Sequence, residues 1–151
     1  MSLEQEINQN KFRNEKQKSI INLVYSYNWL MEHTKSFLDS ENITPQQFNI
    51  LRILRGAYPK PLSTLQIRER MLDKMSDTSR IVDRLIVKAL ATKRVCPSDK
   101  RMVDVIITEK GRKLLEKLDE RSNEMESVMA ELSDADLKTL NRLLDKMRKS
   151  Y

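Results

Sequence analysis

Apolar residues recur three and four positions apart along most of the chain, which is the spacing that places them on one face of an α-helix. The first such stretch covers residues 9–40. A second begins at Pro45 and continues to about Arg55, where we expect Gly56 to end it. The pattern returns in four later segments, residues 63–72, 77–90, 109–132 and 134–149. It predicts a mainly α-helical protein.

Side chains that can cap a helix precede these later segments. Thr44 and Gln47 have capping-box spacing around Pro45, and Ser63 and Gln66 repeat it. The remaining caps that we expect are Ser76, Thr108 and Ser133.

Two segments, residues 92–97 and 102–107, break the helical spacing. The second is rich in valine and isoleucine at alternate positions, which favours a strand with one apolar face. Polar residues separate the two segments, so together they predict a small β-hairpin with a charged tip. A short helix, a turn and a second helix followed by such a hairpin predict a winged helix-turn-helix, which we assign to residues 44–108.

The helix predicted at residues 77–90 separates apolar from polar side chains. Its apolar face carries Thr78, Ile81, Val82, Leu85, Ile86 and Ala89. Its opposite face carries Ser76, Ser79, Arg80, Asp83 and Arg84, together with Val87. Because the second helix of a helix-turn-helix enters the DNA major groove, we expect the five polar residues of that face to contact DNA.

Each of these residues has its own expected role. Arg80 and Arg84 can donate paired hydrogen bonds to guanine or contact phosphate, whereas Ser76 and Ser79 bond phosphate or base edges. Asp83 is repelled by phosphate, so it either accepts a bond from a cytosine amino group or pairs with a neighbouring arginine. The competing interpretation is a solvated helix face held together by ion pairs.

The predicted hairpin tip supplies a second set of cations. Lys100 and Arg101 lie at the turn, where we expect them to reach the DNA backbone or the minor groove. Asp99 is expected to anchor that turn through its backbone or a neighbouring arginine.

The net charge of +6 is concentrated in the middle of the chain. Residues 60–112 contain 13 Lys and Arg against 7 Asp and Glu, whereas the rest of the chain contains 15 of each. A basic segment in an otherwise neutral chain indicates a polyanionic partner, here double-stranded DNA. The alternative is an ordinary solvated surface.

Several other classes of protein are excluded by the sequence. The chain has no run of about 20 apolar residues that could span a membrane, and its first residues lack the apolar core of a signal peptide. We therefore expect a cytoplasmic protein without a membrane partner. The single cysteine, Cys96, excludes an internal disulfide and fits a reducing compartment. We expect it to pack inertly on a hairpin strand, and the alternative is a redox sensor.

The sequence also argues against an enzyme. It has one histidine and one cysteine far apart and no glycine-rich phosphate loop, so we expect no catalytic residues, no cofactor and no metal site. His33 lies on the first predicted helix, where we expect an interface or surface position.

Three motifs resemble those of the multiple antibiotic resistance regulator (MarR) family. Residues 44–52 are similar to its second-helix motif and residues 79–85 to its recognition helix. Residues 99–101, followed by 107–111, look like its wing and the start of the next helix. The resemblance extends over roughly residues 20–147.

The length of the chain predicts a single domain over residues 1–151, and the resemblance implies a homodimer. Its helices at residues 9–40 and 109–151 would form the interface between two copies of the chain. The two winged helix-turn-helix regions of that dimer would then bind a palindromic operator. The resemblance also implies repression that a small-molecule effector relieves. Ala89 stands where relatives usually have glycine, and we expect little consequence because alanine continues a helix well. The reactive cysteine of the peroxide-sensing subgroup is absent from the first helix.

Aromatic side chains crowd one end of the first predicted helix. They are either core and interface residues or part of a ligand pocket, for which Tyr25, Trp29 and His33 are the candidate contacts. A second functional alternative is a winged-helix module that binds an acidic protein. The outward Arg80 and Arg84 and the arginine at the hairpin tip favour DNA over that partner.

Overall fold

Most of the chain is helical, and one small sheet lies near its middle. The computed structural model describes residues 2–95 and 103–149. Its α-helices are α1 (Leu3–Glu6), α2 (Glu15–Asp39), α3 (Pro45–Ala57), α4 (Thr64–Arg70), α5 (Thr78–Val87), α6 (Glu109–Glu120), α7 (Ser122–Glu126) and α8 (Asp134–Arg148), with a 3-10 turn at Ser127–Met129. Strands β1 (Leu62–Ser63), β2 (Ala91–Val95) and β3 (Val103–Ile107) form an antiparallel sheet with β3 in the centre.

This architecture confirms the predicted fold class. Helices α4 and α5 form the helix-turn-helix, and strands β2 and β3 follow it directly as the hairpin of the wing. Strand β1 was not predicted, because two residues are too short to show strand periodicity. No helix in the described ranges is both long enough and apolar enough to cross a bilayer.

The predicted helix caps are confirmed except at α5. The Thr44 hydroxyl accepts from the Gln47 N–H at 3.2 Å, while the Gln47 side chain accepts from the Thr44 N–H, also at 3.2 Å. Helix α5 is capped by Asp77, whose carboxylate accepts from the Arg80 N–H at 3.2 Å. Ser76 cannot serve as that cap because it precedes the N-cap position and its hydroxyl donates to Asp73 at 2.7 Å.

The predicted start of α2 and the predicted end of α3 are also wrong. Helix α2 begins at Glu15 rather than at residue 9, because the side chain of Asn14 caps it by accepting from the Gln17 N–H at 2.9 Å. Helix α3 passes through Gly56, which has a negative φ and therefore does not terminate it.

The single helix predicted at residues 109–132 is broken at Arg121. There the Arg121 guanidinium donates to Glu124 at 2.6 and 2.8 Å and to the Ser40 hydroxyl at 3.0 Å. It also lies 5.1 Å from the centroid of the Phe37 ring. These contacts hold the chain at Arg121 against the end of α2 and against α7.

Helix α5 ends two residues before Ala89, so the expectation that Ala89 continues the helix is wrong. Ala89 has a φ of 58°, in the left-handed region. Its N–H donates to Ile86 O at 2.8 Å, and the Leu90 N–H donates to Leu85 O at 2.9 Å, which together form a Schellman motif. This turn directs the chain into β2, and the residue at its left-handed position is ordinarily glycine.

We expect Ala89→Gly to raise the free energy of unfolding by roughly 0.5–1 kcal/mol, because glycine adopts positive φ without a steric penalty. Urea unfolding of the two proteins measures the difference. Ala130→Gly is the matched control, since Ala130 is exposed with a φ of −61° and its replacement should destabilise slightly. An Ala89→Gly variant that loses as much stability as the control would contradict this account.

The core holds the winged helix together but leaves the outer helices uncovered. Side chains from α3, α5, α6 and β3 meet at its centre, where Leu51, Leu85, Val105 and Leu115 are fully buried. In contrast, α8 has no buried residue, and only Phe37 and Leu38 of α2 are buried. Exposed apolar side chains on α2 and α8 are Ile20, Leu23, Val24, Tyr27, Trp29, Leu140, Leu143 and Met147.

Candidate nucleic-acid interface

Helix α5 presents its polar face outward, as its sequence pattern predicts. Val82 and Leu85 are completely buried and Thr78 is nearly so, which fixes the helix against the core. The opposite face is exposed and carries Ser79, Arg80, Asp83, Arg84 and Val87. The helix therefore offers two arginines and a serine to an external partner.

The two arginines of α5 lie one helical turn apart on that face. The Arg80 side chain is 82% exposed, and its Nε lies 3.2 Å from the carboxylate of Asp77, the residue that also caps the helix. Arg84 is exposed one turn further along. Both guanidinium groups have the fork of donors that matches guanine or phosphate oxygens.

Asp83 pairs with a lysine rather than with an arginine. Its carboxylate accepts from Lys93 Nζ of β2, because the first strand of the hairpin runs back beside α5. The positive charge of Lys93 balances the negative charge of Asp83 on the exposed face, and the contact links α5 to the first strand of the wing. The sequence showed the charge of Asp83 but not its partner, since the two residues belong to different elements.

The turn before α5 is held by hydrogen bonds from both sides. Asp73 accepts from the Met75 N–H at 3.0 Å and from the Ser76 hydroxyl at 2.7 Å, and these bonds hold the pKa of Asp73 below its usual value. On the α3 side, the Asn49 side chain accepts from the Leu72 N–H at 2.9 Å. Ser76 is half-buried, and its oxygen can still accept a bond.

The first strand of the wing adds cations that sequence reasoning did not select. Lys93 and Arg94 are exposed on β2, next to α5. Their place in the basic central segment was the available signal. Lys100 and Arg101, as well as Asp99 and Cys96, lie outside the described residues, so the expectations for them remain predictions.

A cavity of about 870 Å³ lies between α2, α3, the turn after α4 and the segment of α7 and the 3-10 turn. Most of its wall is apolar, and Arg52 and Lys74 contribute the cationic groups. The lining residues are Tyr27, Leu30, Met31, Thr34, Pro45, Gln46, Phe48, Asn49, Arg52, Met71, Leu72, Asp73, Lys74, Met125, Glu126, Val128 and Met129. Hydrophobic periodicity did not predict this cavity, because its walls come from four separate stretches of the chain.

The three ligand candidates from the sequence lie on a neighbouring face of α2 and do not line this cavity. The Tyr25 hydroxyl donates to Glu6 at 2.8 Å, which raises the pKa of Tyr25. Trp29 stacks on His33 with 6.4 Å between ring centroids, and His33 Nε2 lies 3.1 Å from Glu124 O. No cluster of histidine, cysteine or acidic residues within 2–95 and 103–149 could hold a metal ion.

Comparisons with known proteins identify relatives in both sequence and fold. The chain is 25% identical to the HTH-type transcriptional regulator MhqR of Bacillus subtilis over 131 residues, 86% of this chain and 89% of the relative. A crystal structure of a MarR transcription factor from Planctomyces limnophilus is 28% identical, with a TM-score of 0.69, and the match covers 89% of this chain and 98% of that one.

A third relative was solved with a ligand. The organohalide-sensing transcriptional regulator RdhR, in its 2,4-dichlorophenol-bound form, has a TM-score of 0.83 at 20% identity, and the match covers 94% of this chain and 86% of that one. No family model matches the chain. The Bacillus subtilis and Planctomyces limnophilus relatives are named as a transcriptional regulator and a transcription factor, which agrees with the interpretation that the chain is not an enzyme.

Proposed function

We propose that this winged helix-turn-helix chain is a sequence-specific DNA-binding transcription regulator of the MarR family, a proposal supported by its similarity to an HTH-type transcriptional regulator and to a MarR transcription factor. It acts as a homodimeric repressor on a palindromic operator and is released by a small ligand. The observation that carries this proposal is the exposed polar face of α5, where Arg80 and Arg84 project from a helix fixed by Val82 and Leu85.

The bases of the operator contact α5, and the phosphates of the operator contact the cations beside that helix. Arg80, Arg84 and Ser79 face the major groove, and Lys93 and Arg94 extend the positive surface along the wing. Asp83 acts by orienting Lys93 and the wing relative to α5. Ser76, at the start of the helix, accepts from a base amino group of the DNA while its own hydroxyl donates to Asp73.

We expect the protein to select a palindromic site from random DNA fragments and to bind it with a strong dependence on salt. Each phosphate contact contributes about −0.9 to the slope of log affinity against log salt, so four contacts per dimer give a slope near −3.6. Fluorescence anisotropy between low and physiological salt measures that slope. A flat dependence, or no enriched sequence, would instead favour a module that binds an acidic protein.

The large cavity is the effector site in this proposal. Its wall includes the turn that leads into α5, because Asn49 and Asp73 line the cavity and hold the backbone of Leu72 and Met75. A ligand that displaces this turn also displaces Asp73 from Ser76 and alters the start of the recognition helix. The mostly apolar walls suit an aromatic molecule with a single polar group, such as a phenol, because the lining holds two cations, Arg52 and Lys74, and two carboxylates, Asp73 and Glu126. RdhR was solved with such a molecule, 2,4-dichlorophenol.

We expect 2,4-dichlorophenol to weaken operator binding by about tenfold or more in the wild-type protein and to have little effect on Met31→Trp. The larger side chain fills part of the cavity that Met31 lines. Lys35→Trp, an exposed position on the same helix, is the control and should respond as the wild type does. Operator affinity with and without the phenol is the measurement, and an equal response in the two variants would exclude this cavity as the site.

A further inference from the structure

A second concavity, of about 470 Å³, lies on the domain where the loop between α2 and α3, the end of α5 and the first turns of α6 meet. Four lysines line it: Lys88, Lys110, Lys113 and Lys117. The other lining residues are Glu41, Asn42, Leu90 and Leu114. We refer to this concavity as the lysine groove.

Three of the four ammonium groups are held in position by the protein. Lys88 Nζ donates to Asn42 O and, at 3.2 Å, to the Gln47 side chain. Lys110 Nζ donates to Lys88 O at 3.0 Å, and Lys117 Nζ lies 2.7 Å from Glu41. An ammonium group has three donors, so each keeps at least one for a ligand. Because these side chains are already ordered, binding costs less conformational entropy.

The charges of the lysine groove are not balanced by its own lining. Four cations face a single carboxylate, Glu41, which already pairs with Lys117. Lys110, Lys113 and Lys117 are spaced three and four residues apart on α6, so they repel one another along one helix face. A concave surface of one sign concentrates the field, and the apolar floor of Leu90 and Leu114 reduces screening by water.

We propose that the lysine groove binds a small anion with two or more negative charges, of the phosphate or polyphosphate class. None of the exposed polar residues of α5 lines this groove, and it shares no residue with the large cavity. The site is therefore separate from the DNA face and from the effector cavity, and the proposal does not depend on either.

Isothermal titration with inorganic pyrophosphate at low salt tests the proposal. We expect one pyrophosphate per chain, and at least tenfold weaker binding in the Lys110→Gln, Lys113→Gln double variant. The Lys35→Gln, Lys60→Gln double variant removes the same charge from exposed positions elsewhere and should bind as the wild type does. Arg80→Ala combined with Arg84→Ala should also leave pyrophosphate binding unchanged.

The single variant Lys113→Gln tests whether the double variant binds pyrophosphate weakly only because it folds poorly. It leaves in place the hydrogen bond of Lys110 to Lys88, and we expect it to weaken pyrophosphate binding about threefold with an unchanged urea midpoint. Absence of binding in the wild type, or equal weakening in the two lysine double variants, would overturn the proposal. So would loss of pyrophosphate binding in the arginine variant, which would place the anion on the DNA face. A shallower salt slope for DNA in the groove variant alone would assign the lysines to the DNA backbone instead.

Discussion

Replacing Arg80 or Arg84 with alanine is expected to lower affinity for the operator by roughly 5- to 150-fold for each half-site that loses its contact, and affinity for random DNA far less. A bidentate contact between arginine and guanine contributes about 1–3 kcal/mol of discrimination, which corresponds to that range. Both side chains are exposed and lie on the face of α5 opposite its buried residues. Removing them should therefore leave the melting temperature and the dimer unchanged.

Two variants make this prediction specific. Lys138→Ala, on the exposed surface of α8, removes one positive charge away from α5 and should change neither affinity. Arg101→Ala, at the wing tip predicted from sequence, should weaken binding to the operator and to random DNA evenly and make the salt slope shallower by about 0.9 per subunit, or about 1.8 per dimer. If Arg101→Ala alone abolished specificity while both helix variants were silent, α5 would not be the recognition helix.

The second large effect is expected from a substitution in α8, which lies outside the winged helix-turn-helix. Leu143→Glu should convert the proposed dimer to a monomer at micromolar concentration and abolish tight operator binding. Leu143 is 50% exposed on α8, a helix with no buried residue, and it lies near Leu140 and Met147 on one face. An unpaired carboxylate in an apolar interface costs several kcal/mol, so the dissociation constant of the dimer should rise by about 100-fold or more.

Sedimentation velocity measures the loss of the dimer, and titration with operator DNA measures the loss of tight binding. Lys138→Glu places the same charge on α8 away from its apolar side chains and should remain dimeric. Removal of residues 134–151 should have the same outcome as Leu143→Glu. A wild-type protein that sediments as a folded monomer at micromolar concentration would refute the dimer outright.

Helix α5 shows how far sequence reasoning extends. The alternation of Val82 and Leu85 with Arg80 and Arg84 was enough to predict which side of α5 is buried, because a helix repeats every 3.6 residues whatever its surroundings. The end of the same helix was missed. Glycine is the usual signal for a left-handed residue, and Ala89 adopts that conformation without giving the signal.

Local features of the chain were therefore predictable from the sequence alone. They are the helical fold, the capping boxes, the hairpin that follows α5 and the basic central segment. These features depend on residues within a few positions of one another, where backbone geometry sets the spacing. The pairing of Asp83 with Lys93, the break at Arg121 and the two concavities were decided by the tertiary structure. Each of them joins side chains from separate elements, and only the packing of the core brings those elements together.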